Sequence, residues 1–123
     1  MAIIIKANEN KLRLVNLMKI AEKEKETQCF VCSDDMGAVH NFIVDYVMDS
    51  NILNNARLRT TSYEVYEFFK TIVLRQFQDE DKKKLLIVYT NHFESDLTIL
   101  LNMMDRLEKE YQLAVIVTCK RYE

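Results

Sequence analysis

Asp34 and Asp35 are adjacent carboxylates that close an apolar run, Gln28-Cys29-Phe30-Val31-Cys32. Acids at the carboxyl end of a strand lie where open α/β sheets place their ligands, so the pair is a candidate site. After Ser33 the same residues are also natural N-caps for a following helix, and that local use competes with a metal role. Cys29 and Cys32 form a C-x-x-C. At a helix N-terminus this spacing would support redox chemistry, but on a strand residues three apart point to opposite faces. No second cysteine pair exists to complete a zinc site, so the reading here is packing. His40 and His92 are the only histidines; Cys119 with His92 would need a spacing that nothing supports. Arg57, Arg59, Lys82-Lys83-Lys84, Lys120 and Arg121 are the basic clusters. As phosphate contacts they would bind nucleic acid weakly and with strong salt dependence. No aromatic platform is interleaved with them, and a solvated surface is the better reading.

Composition limits the choice further. The chain has 123 residues, one glycine and no proline. Loops that cradle phosphates need glycine, because the backbone must turn tightly and press its N–H groups on the anion. Gly37 stands alone, so no glycine-rich nucleotide loop can be written. The length fits one domain, residues 1–123. At 49% hydrophobic and 29% charged the chain can bury a core and avoid disorder. A net charge of −2 argues against a protein that coats nucleic acid. Three cysteines, with no basic leader and no long apolar run, lead us to expect a cytoplasmic protein without a membrane span.

Elements must hold these residues in place. Ile3-Ile4-Ile5 reads as a buried strand. From Asn10 to Lys25 the period becomes helical, with Leu12, Val15, Met18 and Ile20-Ala21 as the expected apolar side. Gln28 to Cys32 is a second strand, and Ser33-Asp34-Asp35 caps a helix carrying Phe42, Ile43, Tyr46 and Val47. Asp49-Ser50-Asn51 and Asn54-Asn55 read as a polar break. Thr61 to Glu64 is a capping box opening a helix to Phe77. Leu85 to Tyr89 is too apolar for a wet face and belongs at the centre of a sheet. Phe93, Leu97, Leu100, Leu101, Met104, Leu107 and Tyr111 stripe another helix, and Leu113 to Val117 is the fourth strand. Strands alternating with helices imply a mainly parallel sheet of about four strands, covered on both faces. The helix from Tyr63 to Phe77 is apolar on two sides, with Tyr63, Tyr66, Phe69 and Val73 set apart from Phe68, Ile72 and Phe77. Such a helix is either sandwiched or part of an interface, which makes Tyr66 and Phe69 candidate interaction residues.

Ser33-Asp34-Asp35-Met36-Gly37-Ala38, followed by Ala56-Arg57-Leu58-Arg59-Thr60, resembles the DnaB-type replicative helicases. Val115-Ile116-Val117-Thr118-Cys119-Lys120-Arg121 is similar to a later strand of that family, which ends in a Ser-Gln sensor. The resemblance implies a three-layer, RecA-like (P-loop NTPase-like) fold, of which this chain covers the first part. It also sets the catalytic positions, and each departs from the family. The phosphate loop would fall on Ala7 to Leu14, where Leu12-Arg13-Leu14 replaces Gly-Lys-Ser/Thr. Leu12 blocks the close backbone approach, and Leu14 lacks the hydroxyl that would hold magnesium. The metal-linked aspartate falls on Tyr89, the catalytic glutamate on Asp35 and the sensor glutamine on Lys120. The chain stops at Glu123, before the DNA-contacting loops and arginine finger of the family, and one strand after the Arg-Leu-Arg-Thr segment is missing.

The expectation is therefore a non-enzymatic domain with no cofactor, metal or ATP, working by binding another protein. The partner that the resemblance implies is a replicative helicase or its loader, with the chain as regulator or inhibitor. Such a decoy would suit a phage or mobile element. Asp34, Asp35, Arg57, Arg59, Tyr66, Phe69, Lys120 and Arg121 are the candidate interaction residues. Two alternatives of other classes stand beside it. One is a small-ligand binder or enzyme using Asp34, Asp35 and Lys120 in the strand-end crevice; the other is a structural subunit that self-associates through the aromatic helix.

Overall fold

The computed structural model describes residues 2–23, 28–35, 37–40, 49–52, 62–76 and 83–121. Its elements are β1 (Ile3–Lys6), α1 (Asn10–Lys23), β2 (Gln28–Ser33), β3 (Asp49–Ile52), α2 (Ser62–Gln76), β4 (Lys84–Phe93), α3 (Thr98–Tyr111) and β5 (Ala114–Lys120). A single 3-10 turn, Glu94–Asp96, joins β4 to α3, and residues 37–40 are helical. The strands form one sheet in the order β1-β5-β4-β2-β3, and all the pairings are parallel.

Alternation along each strand divides the core into two layers. Phe30 and Cys32 of β2, Leu86 and Val88 of β4, and Val115, Val117 and Cys119 of β5 pack against α2 and α3. Cys29, Val31, Leu85, Ile87, Tyr89 and Ile116 face the other way, with Ile5, Leu17 of α1 and Val39. The molecule is thus an α/β sandwich with helices on both faces of a parallel sheet. Cys29 and Cys32 lie in different layers, as their spacing on a strand requires.

β4 is central, between β5 and β2, and buried on both faces from Leu85 to Thr90, in keeping with its apolar run. It continues past the expected Tyr89 to Phe93, with an irregularity in its pairing to β5 between those residues. The polar stretch at Asp49 is not a break but a fifth strand, pairing Asp49 to Ile52 with Phe30 to Ser33. Its backbone ladder is independent of side-chain polarity, and at a sheet edge that suffices to override a weak strand propensity.

α1 corrects the expected burial pattern. Leu12, Val15 and Met18 are exposed, Leu12 by 53%, while Leu17 and Arg13 point into the core with Leu14 and Ile20 half-buried. α2 is sandwiched: Tyr66, Phe69 and Val73 are buried against β2, β4 and α3, and Phe68 packs on the same cluster. α3 buries Leu100, Met104 and Leu107 and ends at Gln112, whose φ of 51° is left-handed. Phe42 to Val47 and the Asn54–Thr61 segment, including Arg57 and Arg59, lie outside the described residues.

Candidate functional site

The carboxyl ends of β2 and β4 and the first turn of α1 meet around one side chain, Arg13. It is 0% exposed, although arginine is almost never fully buried without partners. Nη1 donates to the Thr90 carbonyl at 2.5 Å, and Nη2 donates to Asn91 Oδ1 at 2.6 Å and to Asn10 Oδ1. The guanidinium carbon lies 4.3 Å from the Tyr89 ring centroid, a cation–π contact in a desolvated place. Tyr89 donates its hydroxyl to Asn10 Oδ1 at 2.9 Å, so one amide oxygen serves both the cation and the phenol. Burial keeps that phenol protonated, raising its pKa; nearby Arg13 opposes the shift, and Asp35 and Asp34 reinforce it.

Asn91 carries the network to the two acids. Its Oδ1 accepts from Arg13 while its Nδ2 donates to Asp35 Oδ2 at 2.9 Å, the two-ended use that only an amide allows. Asp35 Oδ1 accepts the Ala38 N–H at 3.2 Å, capping the helical residues 37–40. Asp35 in turn donates its own N–H to Ser33 Oγ at 2.9 Å. Asp34 is enclosed by the residues that follow the regular part of β4. The Thr90 hydroxyl donates to its Oδ2 at 2.6 Å, the Asn91 N–H to its Oδ1 at 3.1 Å, and His92 Nε2 stands 3.9 Å from Oδ2. The Asp34 N–H donates to the Tyr89 carbonyl at 3.3 Å.

These bonds define what the cluster can do. The buried guanidinium reaches the Asp35 carboxylate only through Asn91, and these bonds tie α1 to the ends of β4 and β2. Both acids are already engaged by donors from Thr90, Asn91 and Ala38. Cys119 is not a poised nucleophile, because burial, reinforced by Glu94, pushes its thiol up to about 11. Burial raises the Cys32 thiol further still.

The residues expected from the sequence divide accordingly. Arg13, Asp34, Asp35 and Tyr89 converge. Leu12 is on the outer face of α1 and Leu14 is half-buried in the neighbouring layer, so the three phosphate-loop positions are a regular helical turn. Lys120 is half-buried at the end of β5, in register with Phe93. Arg121 turns back over β1, donating Nε to the Lys6 carbonyl at 3.1 Å and its N–H to Asn8 Oδ1 at 3.0 Å. Tyr66 and Phe69 are core residues and offer no interaction surface, which corrects that expectation. Gly37 sits in helical backbone without positive φ, and a Cβ there would meet only Asp35 Oδ1 at 3.8 Å. Glycine is therefore not required at that position.

Nothing in the local pattern marks Asn10, Thr90 or Asn91 as site residues, beyond Tyr89-Thr90-Asn91-His92 being a polar tail directly after the most apolar strand. Away from the cluster, a shallow surface depression of about 350 Å³ is lined by Glu94, Ser95, Thr98, Leu101 and Asn102. Among the described residues no group of three acids, cysteines or histidines could hold a metal ion, and no helix is long and apolar enough to cross a membrane. Compared with protein-family models, curated proteins and solved structures, the chain matches none of them.

Proposed function

We propose that this chain is a non-catalytic, RecA-like protein-binding module of helicase lineage that regulates or inhibits a replicative helicase or its loader. The observation that carries the reading is the Arg13 guanidinium, buried at the first turn of α1 and held by Thr90, Asn91, Asn10 and Tyr89. Three of the positions named from the helicase resemblance, Arg13, Asp35 and Tyr89, lie in one cluster, which supports the reading, while Leu12, Leu14 and Lys120 lie outside it. On this reading the Arg13 guanidinium stands where a nucleotide's phosphates would bind in the family.

Phosphoryl transfer depends on positioning and electrostatics around phosphates and metal. A nucleotide would have to displace Arg13 from several bonds to a charged group, each on the order of 1.5–3 kcal/mol. At the positions of the phosphate loop, Leu12 and Leu14 supply neither the glycine turn nor the hydroxyl that would compensate. What is left to such a domain is shape: a fragment built like a helicase subunit can occupy a surface between subunits without hydrolysing anything. A compact regulator of this kind suits a phage or mobile element.

Two measurements test the reading. Calorimetric titration with magnesium-ATP is expected to give no saturable heat, whereas saturable, magnesium-dependent binding would contradict it. Adding the purified chain to a purified replicative helicase and its loader is expected to slow loading or unwinding. If the chain binds neither protein, the partner assignment is wrong.

A further inference from the structure

β1 is the outermost strand of the sheet, with β5 on one side and no strand of the described residues on the other. Peptide groups along a strand point alternately to its two edges. Ala7 donates its N–H to the Cys119 carbonyl of β5, so Ile5 and Ile3 face β5 as well. Ala2, Ile4 and Lys6 accordingly turn their peptide groups to the open edge. Two of these outward groups are engaged within the chain: Asp105 Oδ1 accepts the Ala2 N–H at 2.7 Å, and Arg121 Nε donates to the Lys6 carbonyl. Between them the Ile4 N–H and carbonyl have no partner among the described residues. Natural edge strands are usually guarded by charge, proline or a bulge, yet Ile3 and Ile4 are 51% and 36% exposed.

We propose that this edge joins two copies of the chain, β1 lying antiparallel to β1 of the second copy about a twofold axis at Ile4. Each Ile4 N–H then donates to the other Ile4 carbonyl, the reciprocal pair that directly opposed residues make in an antiparallel ladder. The same register sets Ala2 opposite Lys6 of the second copy, so the two capped residues bound the contact. Charge agrees with this direction. The edge is acidic at the Ala2 end, through Asp105, and basic at the other, through Arg121; Lys6 there is paired with Glu94 at 3.2 Å. An antiparallel twofold brings the acidic end of each copy to the basic end of the other. An axis perpendicular to the sheet also keeps like helices on one face. Ile3, on the α1 side with Ile5, and the exposed Leu12, Val15 and Met18 thus share a layer with their counterparts. A four-residue edge is small beside the roughly 800 Å² per partner of a standard interface, so the expected affinity is on the order of micromolar.

Sedimentation velocity of the purified chain, from low to high micromolar concentration, tests the proposal without any partner protein. Its failure therefore leaves the helicase reading untouched, and the reverse also holds. The expected result is a concentration-dependent shift from monomer to dimer. Ile4→Pro removes the outward N–H without removing a bond to β5, and Ile4→Lys sets like charges across the axis. Each is expected to raise the dissociation constant at least about tenfold while circular dichroism stays native. If the proline variant does not fold, the lysine variant carries the test. Leu74→Lys, at an exposed apolar residue of α2, is expected to leave the dimer intact. A chain monomeric throughout, a dimer that survives Ile4→Lys, or one lost in Leu74→Lys would overturn the proposal.

Discussion

The two faces of the sheet are held by different forces. On the α2/α3 face, Phe69, Leu100, Met104 and Leu107 close over Phe30, Leu86, Val88 and Val115 in a continuous apolar layer. Its driving force is burial, which is strong but indifferent to direction. On the α1 face Leu17 and Ile5 contribute the same kind of packing, but the end near α1's first turn is built on Arg13, Asn10, Asn91 and the acids. Hydrogen bonds demand distance and angle, so this second layer sets register where the first supplies stability. A helix with exposed Leu12, Val15 and Met18 is thus fixed in rotation by one charged side chain.

The largest effect should come from breaking the apolar face. Phe69→Ala is expected to cost about 4 kcal/mol in urea unfolding, because the aromatic is fully buried and its cavity cannot collapse between two helices and a sheet. A loss below about 1 kcal/mol would mean that α2 is not packed as described.

Arg13→Ala is expected to cost about 3 kcal/mol, since it leaves the Thr90 carbonyl and Asn91 without their cation. The sharper version is a double-mutant cycle with Asn91→Ala, where a coupling of about 1–2 kcal/mol is expected. Additive losses would show that the network is a set of independent contacts.

A pH series separates the faces in another way. The Cys119 thiol is raised from 9.0 to about 11 by burial, so the folded state prefers it neutral. Stability from this group is complete below about pH 9 and is lost as pH rises through about 11, because the unfolded chain releases the proton sooner. The loss should be on the order of 2 kcal/mol. Cys119→Ala should make the profile less steep over that window, the slope that remains coming from the buried Cys32 thiol. An unchanged slope would remove the thiol from the explanation.

The smallest effect belongs to the outer side of α1. Leu12→Ser or Met18→Ser, measured at low protein concentration, is expected to change stability by no more than about 0.5 kcal/mol. A loss near that of Phe69→Ala would restore the apolar side that the period of the sequence suggests.

Much of the architecture was legible because it rests on local patterns. The strands at Ile3, Gln28, Leu85 and Ala114 and the helices at Asn10, Ser62 and Thr98 follow from runs and periods within a few residues. The core stripe of α3 emerged almost unchanged, since Leu100, Met104 and Leu107 repeat at the helical spacing. β3 was hidden because its strand character comes from pairing with β2, not from its own residues. At the candidate site, Asp34 and Asp35 are legible as acids at a strand end, and Arg13 and Tyr89 through their places in a resemblance. Asn10 and Asn91, which connect them, carry no signal until they are brought together.

Arg13 marks the boundary between the two kinds of information. The helical period from Asn10 to Lys25 is legible in the sequence, since each hydrogen bond of a helix spans four residues, and the structure describes it as Asn10–Lys23. Which side of that helix is buried depends on Thr90 and Asn91, 77 and 78 residues further along the chain. A hydrophobic count prefers Leu12, Val15 and Met18, because it charges an arginine the full cost of leaving water. The folded chain offsets much of that cost with three acceptors and an aromatic ring, though the buried Nε has no partner among the described residues, and so turns Arg13 into the core.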